Sequence, residues 1–219
     1  MDAETDKTTR TRKFTQARGR ARRQALLQAA RRLLSERDLE QITLPTVAEE
    51  AGIPASSTYH FYPDMKELYK DLAREIAAEM IAVPASCPDP RTWEDLVRAY
   101  TRAGADFYNR DMAARQLMLG PKTPPDIKRA GCARDAGFGD SLMAFIDRHF
   151  VLPELPDPGA IFFRAIQVAD ALFLISVEEH DRLTDEYVEE AGNAVIAYLG
   201  LYLPRFLPRR DANGAGKAG

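Results

Sequence analysis

Apolar residues recur every three or four positions along most of the chain, and the strict alternation of apolar and polar residues typical of β-strands is absent. Between residues 17 and 37 this spacing predicts one amphipathic helix, with arginines on the face opposite the apolar one. Its apolar positions are Ala21, Ala25, Leu26, Ala29, Ala30, Leu33 and Leu34. The pattern as a whole predicts an all-α protein.

Two short helices are predicted at residues 44–51 and 55–61, on either side of a glycine. Thr43 can act as N-cap of the first, and Gly52 follows its end, where a left-handed backbone favours a residue without a Cβ. Two short helices joined in this way are typical of a helix-turn-helix, whose second helix fits the major groove of DNA. The second helix carries small hydroxyls, an aromatic ring and a histidine instead of a solvating run of Glu and Lys. We therefore predict a DNA-binding surface here.

The helices that follow divide the chain into two modules. The next helix is predicted from Asp64, its N-cap, with Glu67 completing a capping box, to about residue 83. A proline-broken segment at residues 86–91 marks the boundary between modules. Beyond it, helices are predicted at residues 93–109, 112–119, 125–150, 159–179 and 184–203, the third of them bent or loosened by glycines. The total is about nine helices.

Basic residues are concentrated at the N-terminal end. The first 35 residues contain ten Lys and Arg and three acidic side chains, a net charge of +7, whereas the whole chain has a net charge of −3. Such a segment suits contacts to DNA phosphates, which are attracted by charge and carry no sequence information. For residues 1–13 a solubilising tail remains an equal alternative, and for the arginines at 18–23, which adjoin the motif, we favour phosphate contacts.

Cysteine and histidine usage limits the other functional classes. Two cysteines without a Cys-x-x-Cys motif fit a reducing cytoplasm, and no apolar run resembles a signal peptide or a membrane span. His60, His149 and His180 have no partner at metal-binding or catalytic spacing, and the glycine-rich nucleotide and nucleophile motifs are absent. We therefore expect a cytoplasmic protein with no membrane partner, no catalytic or metal site and no cofactor.

The last two helices are unusually apolar. The helix at 159–179 is apolar around most of its circumference, and the helix at 184–203 has a wide apolar face. Two such helices from each of two copies would form a four-helix interface, so we predict a homodimer. A two-fold dimer also suits DNA half-sites one helical turn apart. The alternative is a central core helix in a monomer.

The helix-turn-helix segment resembles the TetR family of one-component transcriptional regulators over about residues 18–70. The family motif is matched by Thr43, Val47, Ala48, Ala51, Gly52, Ile53, Tyr59, Tyr62, Glu67 and Leu68. Beyond this segment the likeness is one of helical layout. Pro54 stands where the family usually has a capping serine, and Thr58 where a larger apolar residue is common. Met65 replaces an expected phosphate-binding lysine, and Lys66 lies one residue further on.

Chemistry and this resemblance together define a predicted DNA-contacting set. The short hydroxyls on the second motif helix can contact base edges or phosphates, and the resemblance implies that Tyr59 and His60 hold phosphates. Thr43 can offer donors at a helix N-terminus. The set is Thr43, Ala55, Ser56, Ser57, Thr58, Tyr59, His60 and Lys66. Since that helix has no Asn, Gln or Arg, part of the specificity is expected to come from DNA shape.

The resemblance implies a helical C-terminal domain that encloses a small hydrophobic effector and dimerises. The candidate effector-binding residues are Trp93, Tyr100, Phe107, Gln116, Phe138, Phe163 and Gln167. We predict a repressor that leaves a palindromic operator in double-stranded DNA when the effector binds; the alternative is a DNA-binding dimer whose second domain serves assembly only. The predicted organisation is a flexible basic arm (1–16), a three-helix DNA-binding domain (17–63), a connecting helix (64–83), an effector-binding and dimerisation domain (84–207) and a disordered tail (208–219).

Overall fold

The computed structural model describes residues 3–83, 85–132 and 135–210. This part of the chain is helical without β-strands; only an isolated bridge joins Phe150 and Arg209. The helices are α1 (Ala3–Leu34), α2 (Leu44–Glu50), α3 (Ala55–Phe61), α4 (Met65–Ala82), α5 (Trp93–Arg110), α6 (Met112–Ala114), α7 (Pro125–Cys132), α8 (Asp135–Asp147), α9 (Pro158–His180) and α10 (Asp185–Leu199). A 3-10 turn spans Leu39–Gln41, and a π-helical turn, Arg115–Leu119, follows α6. The all-α prediction is confirmed.

The chain forms two compact units, residues 1–72 and 73–219, and the division falls within α4. In the first unit, α1 packs on α2 and α2 on α3. Most of the apolar face predicted for the first helix is buried, with Leu26, Ala29, Ala30 and Leu34 at 0% exposure. At its N-terminal end the prediction is wrong, because Ala21 is exposed and Ala25 is half-buried. The N-terminal module therefore has its own core.

Local interactions define the ends of the motif helices as the sequence predicts. The Thr43 hydroxyl accepts a bond from the Thr46 amide, and the Thr46 hydroxyl accepts one from the Thr43 amide at 2.9 Å, which completes a capping box. Gly52 has φ +64°, the left-handed conformation that a Cβ would strain. The Asp64 carboxylate accepts a bond from the Glu67 amide at 2.9 Å, as expected of an N-cap.

In the second unit, α9 is the central packing partner of α8 and α10, and α5 packs on α10 and α8. Gly139 permits the close approach of α8 to α9, because a Cβ there would lie 2.7 Å from the Phe163 backbone nitrogen. The Trp93 indole donates to the Pro204 carbonyl at 3.1 Å and so holds the segment after α10 against the start of α5.

The N-terminal helix begins earlier than the sequence predicts. Helix α1 begins at Ala3, so the backbone of residues 3–16, assigned to the flexible arm, is helical; no proline or glycine precedes Gly19 to interrupt it. Over the helix expected at 125–150, the described residues form α7 and α8, which lie on either side of residues 133–134. Residues 1–2 and 133–134 lie outside the described residues.

The C-terminal segment is ordered further than the sequence predicts. The predicted disordered tail begins at residue 208, but the Val151 amide donates to the Pro208 carbonyl at 2.8 Å and the Arg210 amide to the His149 carbonyl at 2.9 Å. These bonds satisfy polar backbone groups of the loop that follows α8. Residues 211–219 lie outside the described residues.

Candidate nucleic-acid interface and effector cavity

One face of α3 is open to solvent and carries most of the predicted DNA-contacting residues. Ala55, Ser56, Tyr59 and His60 are exposed, with Tyr59 at 53% of its full exposure. Their spacing of three and four residues places them on one side of the helix. The His60 ring packs edge-on against Phe61, with the ring centroids 5.5 Å apart. A large exposed aromatic beside hydroxyls and an imidazole offers both stacking area and hydrogen bonds.

Thr58 does not belong to this face, which corrects its predicted role in DNA binding. It is fully buried, and its hydroxyl donates to the Pro54 carbonyl at 3.4 Å. On a helix, adjacent residues point about 100° apart, so the neighbour of exposed Tyr59 can face the core. Ser57 is half-buried between the two orientations. The hydroxyl chemistry is the same on either face, and the fold decides which hydroxyls DNA can reach.

The start of α3 has no side-chain cap, as the substitution by Pro54 implies. Pro54 precedes the helix, and its carbonyl accepts the amides of Ser57 at 2.9 Å and Thr58 at 3.1 Å. Thr43 and Lys66 are both exposed, one at the N-terminus of α2 and the other in the first turn of α4. Met65 is half-buried, so Lys66 is the exposed cation at the start of α4.

Arg23, Tyr62 and Asp71 form a polar clamp that joins α1, the end of α3 and α4. The Arg23 guanidinium donates to the Tyr62 hydroxyl at 3.0 Å and to the Asp71 carboxylate at 2.8 Å through Nε, and pairs with Asp71 through a second nitrogen. The Tyr62 hydroxyl donates to Asp71 at 2.9 Å. Burial raises the pKa of Tyr62, so its hydroxyl remains a donor. The clamp positions α4 against the helix-turn-helix core.

The clamp changes the expectation for the arginines at 18–23. Arg18, Arg20, Arg22 and Arg23 are all exposed on α1, and the Arg23 guanidinium is held by its hydrogen bonds to Tyr62 and Asp71. Arg32 pairs with Glu50 of α2, with the two atoms 2.8 Å apart. The basic segment thus combines exposed charges with arginines that hold the unit together.

The second unit contains a small, partly open apolar cavity between the end of α4, α5, the π-helical turn, α8 and α9. Its volume is about 40 Å³. It is lined by Met80, Tyr100, Thr101, Gly104, Tyr108, Met118, Phe138, Ile166, Ala169, Asp170 and Phe173. Apolar walls with a few polar groups are typical of small-molecule sites.

Of the predicted effector-binding residues, Tyr100 and Phe138 line this cavity. Trp93, Phe107, Gln116, Phe163 and Gln167 do not. Trp93 is buried elsewhere, against Pro204, and Phe107 packs edge-on against Tyr108 with the ring centroids 6.4 Å apart. Sequence reasoning missed Gly104 of the lining; a glycine within an otherwise regular helix was the available signal. A Cβ on it would lie 3.3 Å from the Met80 Cε, so Gly104 leaves room for that side chain.

Three polar groups face the cavity. The Tyr100 hydroxyl donates to the Phe138 carbonyl at 3.1 Å, and burial, with a smaller contribution from the Asp170 charge, raises the pKa of Tyr100 to about 12. The Thr101 hydroxyl donates to the Val97 carbonyl at 3.1 Å. Asp170 supplies a carboxylate, which also accepts a weak bond from Gln167 at 3.5 Å.

Helix α9 also presents apolar side chains away from its buried face. By length and composition it could cross a membrane, with a mean hydropathy of 1.8 over its most apolar window, of which 39% is buried. Val168, Ala171, Leu172 and Ile175 are exposed or half-buried, and their spacing places them on one stripe. Leu201 and Phe206, after α10, are 75% and 78% exposed. Contiguous apolar surface is typical of interaction sites.

Residues 26–72, which include α2, α3 and the start of α4, match the family model described as bacterial regulatory proteins, tetR family. No protein of curated function matches the sequence. Within the described part of the chain, no three His, Cys, Asp or Glu side chains lie together in a way that could hold a metal ion.

Solved structures share the fold. A TetR-family transcriptional regulator from Streptomyces coelicolor is 21% identical, with a TM-score of 0.60 over 83% of this chain and 99% of that one. A TetR regulator from Rhodococcus sp. RHA1 is 14% identical, with a TM-score of 0.65 over 83% and 97%. The multidrug binding protein EbrR, solved with imidazole, is 22% identical, with a TM-score of 0.58 over 81% and 94%. Residues 26–72 thus match the tetR family model, and over 81–83% of its length the chain shares the fold of these three solved structures.

Proposed function

We propose that the protein is a homodimeric repressor that binds a palindromic operator through α3 and leaves it when a small hydrophobic effector enters the cavity of the second unit. The observation that carries the proposal is the presence, in one chain, of an exposed α3 face and a cavity lined by aromatic side chains. The first matches a surface for DNA, and the second matches a site for a small molecule. The family relation favours a regulator over an enzyme.

The α3 face suits a reading of DNA in which the backbone contributes most of the contacts. Tyr59 and His60 would hold phosphates through the hydroxyl and a ring nitrogen, while Ser56 and the Ala55 methyl would reach base edges. Thr43 and Lys66 would add contacts to phosphates at the starts of α2 and α4. These contacts carry little sequence information, so the deformability of the operator would contribute to specificity.

The apolar stripe on α9 supports the dimer. Isolated exposed apolar residues are ordinary, but Val168, Ala171, Leu172 and Ile175 form a continuous row. A second copy of the same stripe would cover it, as in a four-helix interface. The dimer would present two copies of α3 to successive major grooves.

The small volume of the cavity supports a mechanism in which effector binding releases the protein from DNA, because a ligand larger than the cavity must move the helices around it. About 40 Å³ accommodates a few atoms, whereas sites for organic ligands usually have about 300–1,000 Å³. An effector must therefore push the lining helices apart, and Met80, near the end of α4, is in its path. Since α4 begins in the DNA-binding unit, its displacement would change the presentation of α3. DNA affinity falls only as far as the effector prefers the displaced state.

The experiment selects bound sequences from random duplexes, then measures operator affinity with and without compounds that stabilise the protein thermally. A palindromic site bound by two copies, with weaker binding in the presence of a stabilising compound, is the expected result. A compound that binds yet leaves operator affinity unchanged contradicts the release mechanism. Failure of every apolar compound to stabilise the protein favours the alternative, a dimer without sensing.

A further inference from the structure

Helix α3 is short and is weakly anchored by its own residues. Of its seven residues, all of which the structure describes, Thr58 alone is fully buried, and its side chain is small. No side chain caps the start of the helix, where Pro54 stands. Isolated helices of this length are marginal in water, because few hydrogen bonds offset the cost of ordering the chain. The orientation of α3 therefore depends on groups outside the helix.

Tyr62, the residue that follows α3, supplies an anchor of this kind. Its amide donates to the Thr58 carbonyl at 2.9 Å, which closes the last turn, and its side chain is buried. The hydroxyl accepts a bond from Arg23 of α1 at 3.0 Å and donates one to Asp71 of α4 at 2.9 Å. The Arg23 guanidinium also lies over the ring, 5.5 Å from its centroid. Bonds to charged groups are stronger than bonds between neutral ones, so one side chain ties the end of α3 firmly to two other helices.

A small rotation about this anchor would displace the opposite end of α3. Because α3 has seven residues at a rise of about 1.5 Å each, it is roughly 10 Å long, and a rotation of about 10° about the Tyr62 end shifts the other end by about 2 Å. Ala55 and Ser56 occupy that other end and are exposed. A hydrogen bond to a base edge is lost at such a displacement, since its distance range is only about 0.5 Å. Contacts to phosphates, which depend on charge, are less sensitive to it.

We propose that the Tyr62 hydroxyl is a positioning group for DNA recognition. Its bonds to Arg23 and Asp71 fix the angle of α3, and that angle sets base discrimination at the Ala55 end of the helix. Tyr62 is itself buried and acts through α3. This inference rests on the proposed use of α3 to bind the operator, and it adds a residue outside the set that contacts DNA.

The test compares Tyr62→Phe with Tyr69→Phe in the full-length protein. Tyr69 is also buried in the first unit, and its hydroxyl donates to the Leu39 carbonyl at 3.1 Å. Each variant therefore loses one buried hydroxyl and keeps its ring, but only Tyr62→Phe weakens the anchor of α3. Fluorescence anisotropy at one salt concentration measures the affinity for an operator selected from random duplexes and for a scrambled duplex. Thermal unfolding measures the stability of both variants.

The quantity that distinguishes positioning from stability is the ratio of operator affinity to scrambled-duplex affinity. Tyr62→Phe should lower this ratio about tenfold and change the affinity for the scrambled duplex less than about twofold. Tyr69→Phe should leave the ratio within about twofold. A loss of stability alone reduces the folded fraction and so leaves the ratio unchanged. An unchanged ratio in Tyr62→Phe, or an equal decrease in Tyr69→Phe, overturns the inference.

Asp71→Asn is a second variant of the same anchor. It keeps the shape of the side chain and removes the charge that accepts the Tyr62 hydroxyl bond, so it should lower the ratio in the same direction. If Tyr62→Phe does not fold, an unchanged ratio in Asp71→Asn overturns the inference.

Hydrogen exchange tests the anchor without DNA. The amides of residues 59–62 should exchange about tenfold faster in Tyr62→Phe than in Tyr69→Phe, because the end of α3 opens more often. Equal exchange in the two variants contradicts the anchor. If no operator is selected, the proposed DNA-binding function fails and the positioning role fails with it. If an operator is bound and the ratio does not respond to Tyr62→Phe, only the positioning role is wrong.

Discussion

The two units of this protein present opposite kinds of surface. The first buries its apolar residues around α1 and α2 and exposes hydroxyls, an imidazole and the Tyr59 ring on α3. The second keeps aromatic side chains around an internal cavity and leaves an apolar stripe of α9 uncovered. The first unit therefore exposes polar groups on α3, whereas the second has the cavity and the apolar surface on which the proposed effector site and dimer rest.

The comparison also shows where polar groups have a structural role. In the first unit, Arg23, Tyr62 and Asp71 form a clamp between helices and belong to the framework. In the second unit, Asp170 faces a cavity among aromatic rings. A charged residue next to an apolar face can thus be part of the scaffold or of a site, and its neighbours in space distinguish the two.

The largest expected effect follows from the uncovered stripe of the second unit. Ile175→Glu places one carboxylate from each copy in the proposed interface, and burial of like charges should weaken dimerisation more than hundredfold, about 3 kcal/mol or more. Analytical ultracentrifugation measures the dissociation constant. Glu178→Gln, an exposed change on the same helix, serves as control. If the unmodified protein is a dimer and Ile175→Glu leaves its dissociation constant unchanged, the two copies contact each other through a different surface.

The next largest effect is expected from a comparison of the exposed and buried faces of α3 in operator binding. Tyr59→Phe removes an exposed hydroxyl and should weaken operator binding about tenfold, the loss of one bond to a charged phosphate. Thr58→Val removes a buried hydroxyl at nearly constant shape and should leave operator affinity unchanged. Fluorescence anisotropy with labelled operator measures both. The reverse ranking would mean that α3 turns its other face to DNA.

The raised pKa of Tyr100, in the second unit, predicts that the stability of the protein depends on pH. Because the pKa of Tyr100 is raised from 10 to about 12, the folded protein keeps this proton where the unfolded chain loses it. Stability from this group is complete below pH 10 and decreases as the pH rises from 10 to 12. Between pH 9 and pH 11, the free energy of unfolding of Tyr100→Phe should fall by about 1 kcal/mol less than that of the unmodified protein. Urea unfolding at the two pH values measures both. An identical pH profile in the variant would contradict the assignment.

The smallest expected effect is a difference between Arg20 and Arg23 of α1 in the salt dependence of DNA binding. Arg20 is exposed and Arg23 belongs to the clamp, so Arg20→Gln should lower the salt-dependence slope of DNA binding by about 1. Between 50 and 200 mM salt this corresponds to roughly a fourfold change in affinity. Arg23→Gln should instead reduce thermal stability and leave the slope nearly unchanged. A decreased slope in Arg23→Gln would place that side chain on a phosphate.

The motif helices were predictable because their signals are local. Thr43 caps α2, Gly52 adopts the left-handed conformation, and Asp64 caps α4, each through interactions within a few residues. The all-helical class followed from periodicity for the same reason. The start of α1 at Ala3 was missed because a polar, basic sequence without glycine or proline is compatible with both a helix and a flexible arm.

The sites were less predictable because they depend on residues far apart in sequence. The expected effector set includes Tyr100 and Phe138, which the fold brings together with Met80 and Phe173, and it also includes Trp93, which the fold buries elsewhere. Composition identifies aromatic residues without showing which of them share a cavity. The same ambiguity placed Thr58 on the DNA-binding face.

The amino-acid sequence by itself determined the helices of the N-terminal motif, since hydrogen bonds between near neighbours and an apolar period along one helix need no distant partner. Only the tertiary structure decided that Arg23 joins Tyr62 and Asp71, that Thr58 is buried, and that Asp170 faces an aromatic cavity. Packing brings together residues separated by tens of positions, and the chemistry of each side chain is then set by these neighbours.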